Sequence, residues 1–217
     1  MGKKIVGLLL VDHSGSMMSC QATATKAVND FFKERSNAAT SKEEWAMDEF
    51  DTAYSEVFGF TDVAAVPVYN LKPGGMTALH DSIATSVNKL AAYKSGKDKL
   101  RILVIVTDGF ENASQEHTAE TVKKIIEAKK AEGWQVIYLG ANQDAITEAS
   151  KFGVNVDSSL TYDTASSGVA MASVGSYIAR GNSSGSWGFT TTERTSAVQP
   201  QKMADFDDVG HEDGTYI

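Results

Sequence analysis

Residues 5–11, Ile-Val-Gly-Leu-Leu-Leu-Val, form an unbroken apolar run that stops at Asp12. A short run of this kind without polar alternation predicts a strand buried on both faces, as in the middle of a parallel sheet. Over residues 19–38 the spacing changes. Ala24, Ala27, Val28, Phe31 and Phe32 recur at helical intervals with most charges opposite them, which predicts the first helix. Residues 44–50 and 54–58 flank Asp51-Thr52-Ala53 and read as two tightly connected strands, so one edge of the sheet is expected to be antiparallel. Pro73-Gly74-Gly75 marks a turn, and residues 77–93 place Leu79, Ile83, Val87 and Leu90 on one stripe of a helix opening at Thr77. The rest alternates in the same way: a strand at 100–107, a helix at 118–132, a strand at 134–139, a helix at 144–152 ending at Gly153, a short strand at 154–156 and a last helix at 165–180. Strands alternating with helices imply right-handed crossovers, hence a doubly wound α/β fold whose mostly parallel sheet carries helices on both faces. Ligands of such sheets gather at the carboxyl ends of the strands.

Composition sets the boundaries. With 217 residues, 42% of them hydrophobic, the chain can bury a full core. The expected domain covers 1–180. Residues 181–217, rich in Gly, Ser, Thr and Asp with little periodicity, read as an extended or partly disordered segment. Half of the net charge of −8 falls on residues 193–217, which supports that boundary, and the net negative charge itself makes nucleic acid and anionic membranes poor partners. Cys20 is the single cysteine, so neither an internal disulfide nor a thiolate metal cluster is possible, and a reducing cytoplasm is the expected setting. Lys3 and Lys4 precede an apolar stretch too short for a secretion signal, and no apolar run elsewhere is long enough to span a bilayer.

The chemistry lies in three loops at strand ends or helix starts: Asp12-His13-Ser14-Gly15-Ser16, Gly74-Gly75-Met76-Thr77 and Thr107-Asp108-Gly109. All three reach one edge of the expected sheet. Two carboxylates and three hydroxyls make a credible oxygen site for a hard divalent cation such as Mg²⁺. If the carboxylates act partly through water, the direct ligands are neutral hydroxyls, and the electron-poor ion favours a carboxylate from outside.

Asp12-x-Ser14-x-Ser16 after an apolar strand, Gly75-Met76-Thr77-Ala78-Leu79, and Val106-Thr107-Asp108-Gly109 together resemble the von Willebrand factor type A domain with its metal-ion-dependent adhesion site. The resemblance covers residues 3–156, reaching 180 with the final helix. It implies a six-stranded sheet with one antiparallel edge strand. It also implies one cation, Mg²⁺ foremost with Mn²⁺ or Ca²⁺ as alternatives, held by Asp12, Ser14, Ser16, Thr77 and Asp108. In this reading Ser14 and Ser16 bind directly, Thr77 joins them in the high-affinity state, and Asp12 and Asp108 act largely through water. The implied function is a non-enzymatic module binding a partner protein's Asp or Glu. Stand-alone bacterial or phage-type intracellular members are the nearest resemblance, with ATPase-linked, stress or defence complexes as partner classes.

Plainer readings stand beside this one. Asp12, Ser14 and Ser16 also suit a capping and turn cluster, a Thr opening a helix is commonplace, and Asp108-Gly109 suits a turn. His13, His80, His117 and His211 lack zinc-site spacing. Met17, Met18 and Phe110 adjoin the ligands and either pack inward or rim the site. Gly181-x-Ser183-x-Gly185 matches a hydrolase elbow, but no buried strand precedes it. A Mg²⁺-dependent hydrolase such as a phosphatase is the alternative function, although the loops carry no Lys or Arg for developing phosphate charge. Nucleotide binding is weaker still, because no glycine-rich phosphate loop follows the first strand. The acidic run Asp205, Asp207, Asp208, Glu212 and Asp213 reads as solvated and is also a source of carboxylates within the same chain.

Overall fold

A computed structural model describes residues 2–198 except 40, 95, 97 and 143. The first apolar run becomes β1 (Lys4–Asp12), followed by a 3₁₀ turn (Gly15–Cys20) and α1 (Gln21–Ala38). Next come β2 (Glu43–Phe50), β3 (Tyr54–Asp62), α2 (Leu79–Ala92), β4 (Lys99–Thr107), α3 (Ala119–Ala131), β5 (Gln135–Ala141), α4 (Ala145–Lys151), β6 (Ser159–Tyr162), α5 (Ser167–Ser184) and α6 (Thr191–Ala197). The sheet order is β3-β2-β1-β4-β5-β6, with β3 antiparallel to β2 and every other pair parallel. This is the expected doubly wound, six-stranded α/β architecture.

Strand alternation splits the core into two layers. Ile5, Leu9 and Val11 of β1 join Ile102, Val104 and Val106 of β4 on the face covered by α1 and α5. Val6, Leu8, Leu10, Leu103 and Ile105 point the other way, toward Ile83 and Val87 of α2, Ile126 of α3 and Ala149 of α4. The central strands are apolar over residues 5–11 and 102–106 because both faces are covered there, while Arg101 near the start of β4 donates to Leu90 O and Tyr93 O. Gly7 interrupts the run where Trp45 crosses β1: a β-carbon there would lie 2.4 Å from the indole ring.

Three expectations are corrected. The second helix begins at Leu79 rather than Thr77, because Asn112 takes both backbone groups of Thr77 and holds it outside the helix. The strand expected at 154–156 lies instead at Ser159–Tyr162. After Gly153 ends α4 in a left-handed conformation, Val154 donates back to Ala149, and a 3₁₀ turn at Val156–Ser158 delays the pairing with β5. Residues 181–198 are not extended: α5 runs on to Ser184, and α6 follows with the Thr190–Glu193 capping box. Trp187 packs on the bare backbone of Gly181, Phe189 packs on Tyr177, and Glu193 pairs with Arg180 at 3.0 Å, so this stretch belongs to the packed unit. The remainder of the expected extended segment, 199–217, lies outside the described residues. Among the described residues no helix is long and apolar enough to cross a membrane.

Candidate metal centre

The carboxyl ends of β1 and β4 lie side by side in the middle of the sheet, and the loops leaving them carry the candidate ligands. Asp12 is fully buried. Its Oδ1 accepts the Ser14 N–H at 2.8 Å and its Oδ2 accepts the Thr107 hydroxyl at 2.5 Å, which fixes the carboxylate between the two strands. Ser14 and Ser16 hydroxyl oxygens lie 3.1 Å apart, and Ser16 donates to Asp108 Oδ1 at 2.6 Å. Gly15 N–H donates to Gly75 O at 3.1 Å and Gly74 N–H to His13 O at 2.7 Å, which ties the first loop to the one carrying Thr77.

Gly109 shows how these oxygens converge. A β-carbon on it would lie 3.0 Å from Thr77 Oγ1, 3.4 Å from Asp12 Oδ2 and 3.5 Å from Ser16 Oγ. The bare glycine therefore leaves a small space walled by oxygens of three of the five candidate residues. Ser14 and Asp108 adjoin it through Ser16. All five residues chosen from the sequence thus come together.

The electrostatics of the cluster also favour a cation. Burial raises the Asp12 carboxyl above the ordinary range against the hydrogen bonds from Thr107 and Ser14, and the charge of Asp108 raises it further. Burial likewise raises Asp108, opposed by the Ser16 hydroxyl. Among the described residues neither acid has an ion-pair partner. A buried acid and a half-buried one amid hydroxyls, with no basic side chain among the described residues to neutralise them, suit a hard divalent ion. No group of three or more His, Cys, Asp or Glu converges among the described residues, so a soft thiolate or imidazole site has no donors here.

Sequence reading missed the residues that hold this arrangement. Asn112 Oδ1 accepts the Thr77 N–H at 2.9 Å while its own N–H donates to Thr77 O at 3.0 Å. Glu111 accepts from the N–H groups of His80, Ala113 and Ser114, and Asp81 accepts from those of Gln115, Glu116 and His117. These bonds lock the loop after β4 against the start of α2, and backbone hydrogen bonds lower both carboxyls below the usual range although burial opposes them. Thr107 stood inside a quoted motif and was legible. Asn112, Glu111 and Asp81 carried no sequence signal, since any polar loop contains such residues.

Other candidates separate from the site. The His13 ring turns toward Lys72 O and Asp51, His80 toward Glu111, and His117 toward Asp81. His211 lies outside the described residues. Met17 is buried in the core, whereas Met18, Met76 and Phe110 are more than half exposed. Gly181 and Ser183 belong to the end of α5, with no strand-to-helix elbow around them.

No protein-family profile and no curated protein matches the chain. Solved structures do. The von Willebrand factor domain of the type V pili tip protein Mfa5 from Porphyromonas gingivalis matches with a TM-score of 0.67 at 12% identity, covering 86% of this chain and 98% of that one. The fold is that of a von Willebrand factor type A domain. A type A protein from Catenulispora acidiphila matches with a TM-score of 0.58 at 16% identity, over 81% of this chain and 42% of that one. Proximal thread matrix protein 1 from the mussel byssus, solved with a zinc-occupied metal-ion-dependent adhesion motif, matches with a TM-score of 0.60 at 20% identity, over 79% of this chain and 47% of that one. This type A fold thus spans about half the length of the mussel protein. In the present chain it sets the ends of β1 and β4 and the start of α2 around the oxygen cluster.

Proposed function

We propose that this chain is a metal-dependent protein-interaction module in which Asp12, Ser14, Ser16, Thr77 and Asp108 hold one divalent cation and present it to a carboxylate of a partner protein. The convergence of Thr77, Asp12 and Ser16 oxygens on the open face of Gly109 carries the reading. Mg²⁺ is the favoured ion, with Mn²⁺ or Ca²⁺ able to replace it, because the donors are oxygens alone. Two carboxylates offset the ion's two charges, and the hydroxyls leave it able to attract a further acid. The zinc found in the mussel protein's motif supports a divalent cation at this place in the fold and leaves the choice of metal to measurement. A binding role is favoured over phosphoryl transfer, since the three ligand loops supply no Lys or Arg. A reducing compartment fits the single, buried Cys20 thiol, whose pKa burial raises to about 11.

The test is calorimetric titration of EDTA-stripped protein with Mg²⁺, Mn²⁺ and Ca²⁺ beside Ser14→Ala/Ser16→Ala. One equivalent should bind, and the double variant should lose it. Absence of binding to the folded wild type, or unchanged binding in the double variant, would overturn the assignment. Phosphatase turnover with Mg²⁺ would favour the hydrolase instead.

A further inference from the structure

Six large hydrophobic side chains are exposed among the described residues, and three of them lie within two positions of a candidate metal ligand along the chain. Each comes from a different ligand loop: Met18 follows Ser16, Met76 precedes Thr77, and Phe110 follows Asp108-Gly109. An occupant of this surface should therefore offer a carboxylate to the ion and apolar side chains to the rim.

Residues 199–217 of this same chain match that description. The stretch Met203-Ala204-Asp205-Phe206-Asp207-Asp208-Val209 interleaves three acids with Met, Phe and Val. The described chain also ends in the right place. Ala197 O accepts the Asp163 N–H at 3.0 Å, which pins the end of α6 to the residue just beyond β6, on the same edge of the sheet as Asp12 and Asp108. Thr23 Oγ1, three residues past the 3₁₀ turn that carries Ser16, donates to Thr164 O at 3.4 Å. Buried Tyr162 is close enough to feel the charges of Asp108 and Asp12, which add to the effect of burial in raising its hydroxyl pKa. From β4 to β6 the sheet measures two strand spacings, about 10 Å. Six residues lie between Val198 and Asp205, and the seven steps of about 3.3 Å each reach roughly 23 Å, well beyond the gap.

We infer that, in the absence of a partner, the Asp205–Val209 stretch docks on the metal centre of its own chain, with one of its carboxylates toward the ion and Phe206 against the Met18–Met76–Phe110 rim. This rests on the cation site proposed above. The docked stretch acts as an internal ligand that an external acid must displace.

The experiment uses the full chain stripped with EDTA and Mn²⁺ alone as probe, comparing wild type with Asp205→Asn/Asp207→Asn/Asp208→Asn and with Phe110→Ser. For a contact dissociating at about 1 mM, an effective concentration of about 10 mM strengthens Mn²⁺ binding about tenfold. Wild type should therefore bind one Mn²⁺ about tenfold more tightly than the triple variant. Trypsin cleavage after Lys202 should slow on adding Mn²⁺ in wild type, slow less in Phe110→Ser, and stay unchanged in the triple variant, with a monomeric mass throughout. Equal Mn²⁺ affinity and unprotected Lys202 would overturn the docking and leave the metal site standing. Failure of both proteins to bind Mn²⁺ would remove the site and the docking together. A Mn²⁺-dependent dimer, abolished in the triple variant, would assign the occupant to a second copy and refute docking within one chain.

Discussion

Gly109→Ala is the most direct challenge to the metal reading, because it adds a single methyl group where the candidate oxygens meet. That methyl would lie 3.0 Å from Thr77 Oγ1, 3.4 Å from Asp12 Oδ2 and 3.5 Å from Ser16 Oγ. In metal-free protein only the Thr77 hydroxyl must shift, by a few tenths of an ångström. Replacing Gly also removes unfolded-state freedom worth about 0.4–1 kcal/mol, so the two effects offset and metal-free stability should change by less than about 1 kcal/mol. The ion is affected differently, since an apolar group replaces space that hydrated metal and hydroxyl ligands require. At a metal concentration about 100 times the dissociation constant, the wild type gains about 2.7 kcal/mol from binding. At 2–4 °C per kcal/mol for a domain of this size, that is a rise of roughly 5–10 °C in Tm. Thermal melts with EDTA and with Mn²⁺ should show this rise for the wild type and almost none for Gly109→Ala, while the EDTA melts nearly coincide. An equal Mn²⁺-induced rise in both would refute the idea that this space belongs to the ion.

Asn112→Ala should lower stability by about 1–3 kcal/mol, because the partly buried Thr77 N–H loses its acceptor, and should weaken Mn²⁺ binding as Thr77 swings free; denaturant midpoints and calorimetry read the two effects separately. Glu111→Gln tests the loop clamp through pH. The Glu111 carboxyl is lowered from 4.5 in the folded state, so its contribution is complete above the unfolded value and is lost as pH falls through the folded one. The stability gap between wild type and Glu111→Gln should thus be fully open above 4.5 and close as pH falls through the lowered folded value, and a gap independent of pH would contradict the assignment. Gly7→Ala forces a methyl to within 2.4 Å of the Trp45 ring in the core and should cost about 1–3 kcal/mol in a thermal or denaturant melt.

What the amino-acid order made legible was whatever is written locally. Residues 5–11 and 102–106 announce central strands because burial on both faces leaves them without a polar side chain, and both strands formed within a few residues of the expected limits. Asp12, Ser14, Ser16, Thr77 and Asp108 could be selected because each sits in a short motif beside such a strand or at a helix start. The last strand and the last helix were not legible, although α4, no longer than α6, was. β6 has four residues, and α6 has two turns signalled only by its capping box and by Trp187 and Phe189.

Alternating layers, a parallel sheet and the chemistry of the donor set could thus be read from residue order, because hydrophobic period and residue type are local properties. How those donors meet depends on long-range packing. Thr77 stays outside α2 because Asn112, 35 positions away, takes its backbone. Asp12 is aimed by Thr107 across a strand pairing, and Gly109, in the third ligand loop, keeps open a space whose walls come from the other two. Contacts of that separation depend on the packing of β1, β4 and α2 as a unit, and no window of sequence contains them.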